Sequence, residues 1–271
     1  MCSYICQTCG TAYPPSEAPP HGCSICDEER QYVGLSGQKW ITPAELEKDH
    51  RNTFTRHEER LTAIRTEPSF AINQRAFLLE SPAGNILWDC LSLLDEPVSE
   101  AILQRGGLSA IAISHPHYYT SMNRWSEVFG EVPVYLHEAD RGWVVWPGPN
   151  IRYWSGETCP VHDSITLIRC GGHFEGGTVL HWPAGAEGRG VLLSGDIIQV
   201  VPDRRWVSFM YSYPNLIPLN TAAVQRIVSA VEPFEFDRVY GAFHPMQVIS
   251  DGKNAVRRSA DRYIRAISVA D

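Results

Sequence analysis

The chain has no run of apolar residues approaching the roughly 18 that a membrane-spanning helix needs, which excludes a membrane span of that kind. Its opening, MCSYICQTCG, lacks the charged-then-apolar layout of a secretory signal, so a cytoplasmic location is expected. Positive charge is scarce. With 23 Lys and Arg against 31 Asp and Glu, the net charge is −8, and no basic face capable of neutralising phosphates is expected. Neither nucleic acid nor a membrane is therefore an expected partner. Apolar residues are not scarce: 44% of 271 residues, eight of them Trp, suffice for one large packed domain or a domain with a small appendage.

Four of the eight cysteines stand as Cys6-x2-Cys9 and Cys23-x2-Cys26, two knuckles joined by the Pro-rich loop PPSEAPPHG. Two such pairs make a closed four-thiolate site, which suits one structural zinc ion. Residues 1–36 are too few to bury an adequate core, so metal–thiolate bonds are expected to hold them as a zinc ribbon. A redox role for one Cys-x2-Cys is disfavoured by the second pair. His21 is read as loop surface, and Cys90, Cys159 and Cys170 as buried small hydrophobes.

Residues 37–68 are expected to form a linker helix. Thr42 can cap it, Pro43 suits its first position, and Glu45 completes a capping box, with the helix running toward about Ile64. From Phe70 the pattern changes. AFLLES and NILWDC around Pro82-Ala83-Gly84 read as a β-hairpin; Val98 to Arg105 reads as a helix ending at Gly106-Gly107; and Ser109 onward, SAIAIS, reads as a buried strand. Strand, helix and strand make a βαβ unit of an α/β fold. Asn123 to Phe129 reads as a further helix, and VPVYLH, GVLLSG and RVYG as further strands.

Ligand-type residues recur at strand ends. The strand after Ser109 stops at His115-Pro116-His117, and extended backbone would turn both imidazoles to one side, where a divalent cation could sit. His173 follows Gly171-Gly172, which permit a tight turn. Asp196 follows Gly195, and His244 follows RVYGAF. Asp89 also ends a strand and either orients a ligand or caps the next turn. His137, His162 and His181 lack partners at ligand spacing and are read as structural, and His50 and His57 as a solvated helix face. Trp143, Trp146 and Trp154 are read as an aromatic wall or as packing.

The series His115-x-His117, Gly172-His173, Gly195-Asp196 and His244 resembles the metallo-β-lactamase fold superfamily over residues 69–271. The resemblance implies an αββα sandwich with the metal site along one edge of its two sheets and helices over 220–231 and 254–267 covering the outer faces, preceded here by the four-cysteine zinc ribbon. It implies that His115, His117 and His173 hold a first metal, that Asp196 bridges, and that His244 belongs to a second. It also exposes a departure: the Asp-His that ligates the second metal in most members is Tyr119-Thr120 here. Neutral phenol and hydroxyl are far weaker ligands, so a single zinc at this site is expected.

The function implied is a zinc-dependent hydrolase of an ester, thioester, lactone or phosphodiester-type small molecule, with Asp196, His244 and Tyr119 as candidate catalytic residues. The alternative is a catalytically silent metal-binding sensor or partner-binding module. The ribbon is a possible place for a protein partner or for self-association.

Overall fold

A computed structural model of the chain describes residues 1–162 and 164–268. The chain divides into two compact units, the first comprising Met1–Leu136 and Arg141–Tyr153, the second His137–Asp140 and Trp154–Asp271.

In the first unit, helix α1 (Pro43–Asp49) begins as its sequence predicts. The Glu45 N–H donates to the Thr42 hydroxyl at 3.3 Å, the Thr42 N–H donates to the Glu45 carboxylate at 2.9 Å, and Pro43 opens the first turn. The linker helix expected over 37–68 does not continue, however. His50 is extended, and strands β1 (Arg51–Glu58) and β2 (Leu61–Glu67) follow as an antiparallel hairpin. The cause lies in the threonines at 53, 55, 62 and 66, which favour strand, and in β1's place at the sheet edge. A strand wetted along one edge reads as polar under either periodicity. Asn52 anchors the hairpin: its backbone N–H and side-chain amide donate to Asp95 at 2.8 and 3.1 Å, and it accepts from Thr66 at 2.9 Å.

The hairpin belongs to a seven-stranded sheet that continues, in chain order, through β3 (Ala76–Leu79), β4 (Ile86–Trp88), β5 (Ala110–Ala112), β6 (Val134–His137) and β7 (Ile151–Trp154). The predicted β3–β4 hairpin forms, and α2 (Glu96–Gln104) carries the chain from β4 to β5. Because β4 and β5 are parallel, with Ile86 beside Ala110, the residues after Trp88 and those after Ala112 emerge at the same end. Helix α3 (Met122–Val128) follows the histidine loop and returns the chain to β6, also parallel to β5.

The ribbon residues belong to this first unit and are bound into it. Ile5–Cys6 pairs with Trp40–Ile41, and the four knuckle cysteines with Ile25 pack against Tyr13, Trp40, Ile72 and Trp143. Ile5 and Ala12 bury themselves with Leu46 and Leu93, against which Ile41, Phe70 and Trp146 also pack. Trp143 and Trp146, read from the sequence as an aromatic wall or as packing, are packing: they cover the ribbon.

In the second unit a six-stranded sheet runs β8 (Thr158–His162), β9 (Ile165–Arg169), β10 (Thr178–Trp182), β11 (Val191–Gly195), β12 (Arg238–Gly241) and β13 (Gln247–Val248). Only β11 and β12 pair in parallel. Helices α4 (Thr221–Val231) and α5 (Gly252–Ile267) bury Val224, Ile227, Val231, Ala255, Val256 and Ala260 in a core shared with Ile168, Val179, Leu192 and Val239. Each fully buried Val, Leu or Ile of this kind contributes about 1.5–3 kcal/mol. The packing fixes the ends of β11 and β12, after which Asp196 and His244 stand.

Candidate functional site

The four knuckle thiols form one closed group. The sulfurs of Cys6, Cys9, Cys23 and Cys26 lie within 4.8 Å of one another, with Cys6 to Cys26 at 3.5 Å and Cys9 to Cys23 at 3.6 Å, and all four residues are buried. The edge of a tetrahedron with zinc–sulfur bonds is ~3.8 Å, so the group fits a four-coordinate metal ion. The Gln38 amide donates to the Cys6 sulfur at 3.1 Å, as a donor to a thiolate does. Hydrogen bonding to Cys23, then to Cys26 and Cys9, holds the Cys6 thiol far below its ordinary range, whereas burial drives Cys9 up and the bond with Cys23 drives Cys26 up. Four thiolates share so small a volume only when a cation balances them. His21 is exposed and stands outside the group, as expected.

The histidine loop of the first unit leaves the end of β5. His115 is extended, with φ −171° and ψ 171°, but Pro116–Tyr118 then form a 3-10 turn, so the pair is not brought together by continuous extended backbone. The turn itself sets the His115 and His117 rings edge to face, 5.1 Å between centroids. Both are almost fully buried. The Asp89 carboxylate accepts the Ser114 N–H at 2.8 Å, and the Ser114 hydroxyl bonds the His115 Nδ1 at 2.9 Å. The Asp89 carboxylate thus holds the start of the loop from the adjacent strand end.

Past the turn the loop is buried as well. Tyr119 and Thr120 are each 4% exposed. Thr120 adopts φ +34°, its hydroxyl donates to the Tyr118 carbonyl at 3.5 Å, and its own carbonyl accepts the Ala12 N–H at 3.1 Å. The position that holds a histidine in the family pattern is thus engaged with the ribbon.

In the second unit His173 is reached through Gly171 and Gly172, at φ +72° and +84°. A Cβ at Gly172 would meet Ile227 at 2.8 Å and Leu219 at 3.0 Å, so glycine is required there by both conformation and space. The buried His173 ring bonds the Tyr211 carbonyl through Nδ1 at 2.7 Å. A carbonyl only accepts, so Nδ1 carries the proton and Nε2 keeps the lone pair a metal needs. Asp196 is buried, and its backbone carbonyl accepts the Tyr213 hydroxyl at 2.7 Å. Burial, and then the Asp196 charge, drive the Tyr213 phenol well above its ordinary range and keep it a donor. His244, after β12, is exposed. The Tyr211 carbonyl and the Tyr213 hydroxyl were not anticipated. A backbone acceptor has no sequence signal, and Tyr-Ser-Tyr is no motif.

His137 and His181 have structural roles, whereas His50 and His57 lie on no helix face: His50 is the extended residue after α1 and His57 stands in strand β1. His137 ends β6, bonds the Gly156 carbonyl at 3.1 Å and stacks edge-on against Trp154. His181 bonds the Glu235 carbonyl at 2.8 Å. Cys90 and Cys170 are fully buried, and burial pushes the Cys170 thiol up to about 12. Cys159 is only partly buried, contrary to expectation, because β8 is an edge strand.

Sheets whose strand ends carry His-x-His, Gly-His and Gly-Asp are the architecture of the metallo-β-lactamase fold, and solved structures agree. The metallo-β-lactamase FIM-1 of Pseudomonas aeruginosa in its mono-zinc form superimposes at TM-score 0.58 and 16% identity, covering 79% of this chain and 96% of that one. The metallo-β-lactamase DIM-1, in a crystal structure of the enzyme exposed to ceftazidime, superimposes at 0.58 and 13% identity, covering 80% of this chain and 98% of that one. This chain has the metallo-β-lactamase fold, in the α/β class expected, with an added N-terminal group of four cysteines. It belongs to the family of the uncharacterized protein YmaE of Bacillus subtilis (strain 168), with which it is 48% identical over 267 residues, 98% of this chain and 97% of the relative. No family model matches the chain. No helix among the described residues is long and apolar enough to cross a membrane.

Proposed function

We propose that the chain is a hydrolase working with one divalent cation, zinc by the character of its donors, held by His115, His117 and His173 with Asp196 beside them. Its substrate is a small molecule with an ester, thioester, lactone or phosphodiester-type bond. The observation that carries this reading is the donor chemistry within each unit, in a chain with the metallo-β-lactamase fold: His115 and His117 are buried with ring centroids 5.1 Å apart, and the buried His173 has its proton held on Nδ1 by the Tyr211 carbonyl. Three neutral nitrogens leave a tetrahedral cation an open position, as catalytic zinc sites do. A cation so held supplies Lewis acidity, making water nucleophilic at about neutral pH and polarising a carbonyl or phosphoryl oxygen.

The protein's own share is orientation and proton transfer. The Tyr211 carbonyl fixes the His173 tautomer, and Asp89 with Ser114 aims His115. Asp196 supplies the negative charge that completes or opens the set of ligands. His244 protonates the leaving group, with Tyr119 as the alternative donor; an exposed imidazole exchanges protons with water more readily than a buried phenol. The engagement of Thr120 with the ribbon supports one metal rather than two. The ribbon holds a second, structural zinc.

The same loss of Asp-His at 119–120 favours the other reading, a metal-binding sensor without catalysis. One experiment separates them: metal content by inductively coupled plasma mass spectrometry, with a screen of the four substrate classes. Hydrolysis by wild type that His173→Ala abolishes supports the enzyme. A zinc-replete protein inert toward all four classes supports the sensor, and absence of any histidine-bound metal overturns both.

A further inference from the structure

We infer that the thiolate ribbon is a positioning part of the histidine loop, gripping it through Ser92 and through the Ala12–Thr120 hydrogen bond. Four bonds make the link. The Gly10 N–H donates to the Cys6 carbonyl at 2.8 Å, so the first knuckle sets the place of Gly10. The Ser92 hydroxyl donates to the Gly10 carbonyl at 2.7 Å. The Ser92 carbonyl in turn accepts the Ser121 hydroxyl at 2.8 Å, and the Ala12 N–H reaches the Thr120 carbonyl at 3.1 Å. Ser92, Thr120, Ser121 and Ala12 are each 8% exposed or less, so water does not compete for these bonds.

The loop needs such a grip. Thr120 is β-branched and holds φ +34°, in the left-handed region that it does not occupy unaided. It stands three residues after His117. The fit on the ribbon side is equally tight: at Gly10, φ +82°, a Cβ would lie 2.4 Å from the Ser92 oxygen. Ribbon residues share only small apolar clusters, so the metal–thiolate bonds hold the knuckle that holds the loop. Asp89 fixes the loop's beginning and the ribbon its end. Ser92, two residues beyond Cys90 in the same connection, serves as the positioning residue that joins the two.

The consequence for cation retention rests on the proposed histidine site; the ordering of the loop does not. The test is hydrogen exchange on the full folded chain, read on the peptide spanning residues 115–122, with metal content measured alongside. Ser92→Ala keeps all four thiolates and removes the hydroxyl bond that ties Ser92 to Gly10, leaving the backbone Ala12–Thr120 bond in place. It should retain the ribbon metal, speed exchange of the 118–122 amides about tenfold, and weaken binding of the metal proposed at the histidines by a similar factor. Ser3→Ala, which removes a hydroxyl bonded within the ribbon to the Tyr13 carbonyl at 2.8 Å, should leave that peptide unchanged. Cys23→Ser should loosen the loop more than Ser92→Ala; if it does not fold, Ser92→Ala alone decides. Wild-type exchange in Ser92→Ala overturns the inference. If wild type binds no metal at the histidines, the proposed hydrolase falls, while the exchange measurement still decides whether the ribbon positions the loop.

Discussion

The carboxylate of Asp89 and the backbone N–H of Ser114, at the ends of neighbouring parallel strands, are joined by a 2.8 Å hydrogen bond inside the protein. Asp89 itself has φ +60°, a conformation that Asn tolerates and Ala does not. Asp89→Asn keeps an acceptor oxygen and the backbone, so it should fold with little loss of stability. Asp89→Ala leaves a buried N–H without its acceptor and strains the backbone, and should cost about 2–4 kcal/mol. Urea unfolding of both variants checks the order; equal stability of the two would remove the orienting role given to Asp89.

Metal stoichiometry should be about two per chain, one in the four-thiolate group and one at the histidines. Dialysed protein assayed by plasma mass spectrometry gives the count. A firm value of three would mean that Tyr119 and Thr120 do not disable a second histidine-side site.

Restoring the family's residues should not restore that second site. In Tyr119→Asp with Thr120→His, the larger imidazole enters a position whose carbonyl and side chain lie against Gly10 and Ala12. Zinc titration should find no additional ion and thermal melting a lowered midpoint. Uptake of one extra zinc by a normally stable variant would show that the ribbon contact yields easily.

Acid should destabilise the second unit through His181. Burial lowers its pKa below the ordinary 6.5, against the opposing bond to Glu235 and that residue's charge. Between the lowered value and 6.5 the unfolded chain binds more protons than the folded one, so stability is fully present above pH 6.5 and declines as pH falls through that window. His181→Gln keeps a donor for the Glu235 carbonyl, bonded at 2.8 Å in wild type, and removes the titration. Its melting temperature should vary less between pH 7.5 and pH 5 than that of wild type. An identical pH profile would assign the acid sensitivity to other groups.

Thiol labelling should sort the cysteines by environment. Cys2 is exposed and should react with iodoacetamide at once, whereas Cys90 and Cys170, fully buried and with thiols pushed up by burial, should not react in the folded chain. The four knuckle cysteines should become reactive only after chelation. Peptide mass spectrometry reads all eight, and labelling of knuckle cysteines before chelation would argue against a bound metal there.

The sequence alone determined the features whose physics is local. Cys-x2-Cys spacing, the Thr42 capping box, Gly171-Gly172 before His173 and the runs of β4, β5, β11 and β12 each draw on neighbours within a few residues, and each was legible. Tertiary structure decided the rest. Whether 50–67 is helix or hairpin depended on a sheet edge and on Asp95, 43 residues beyond Asn52 in the chain, for which no period in the segment itself carries a signal. The use of Trp143 and Trp146 as ribbon packing, the Tyr211 carbonyl behind His173, and the grip of Gly10 and Ala12 on Ser92 and Thr120 are contacts between residues distant in the chain. Several of these partners are backbone groups common to nearly every residue, so no residue type marks them. Only the packed chain selects which carbonyl or N–H is brought into reach.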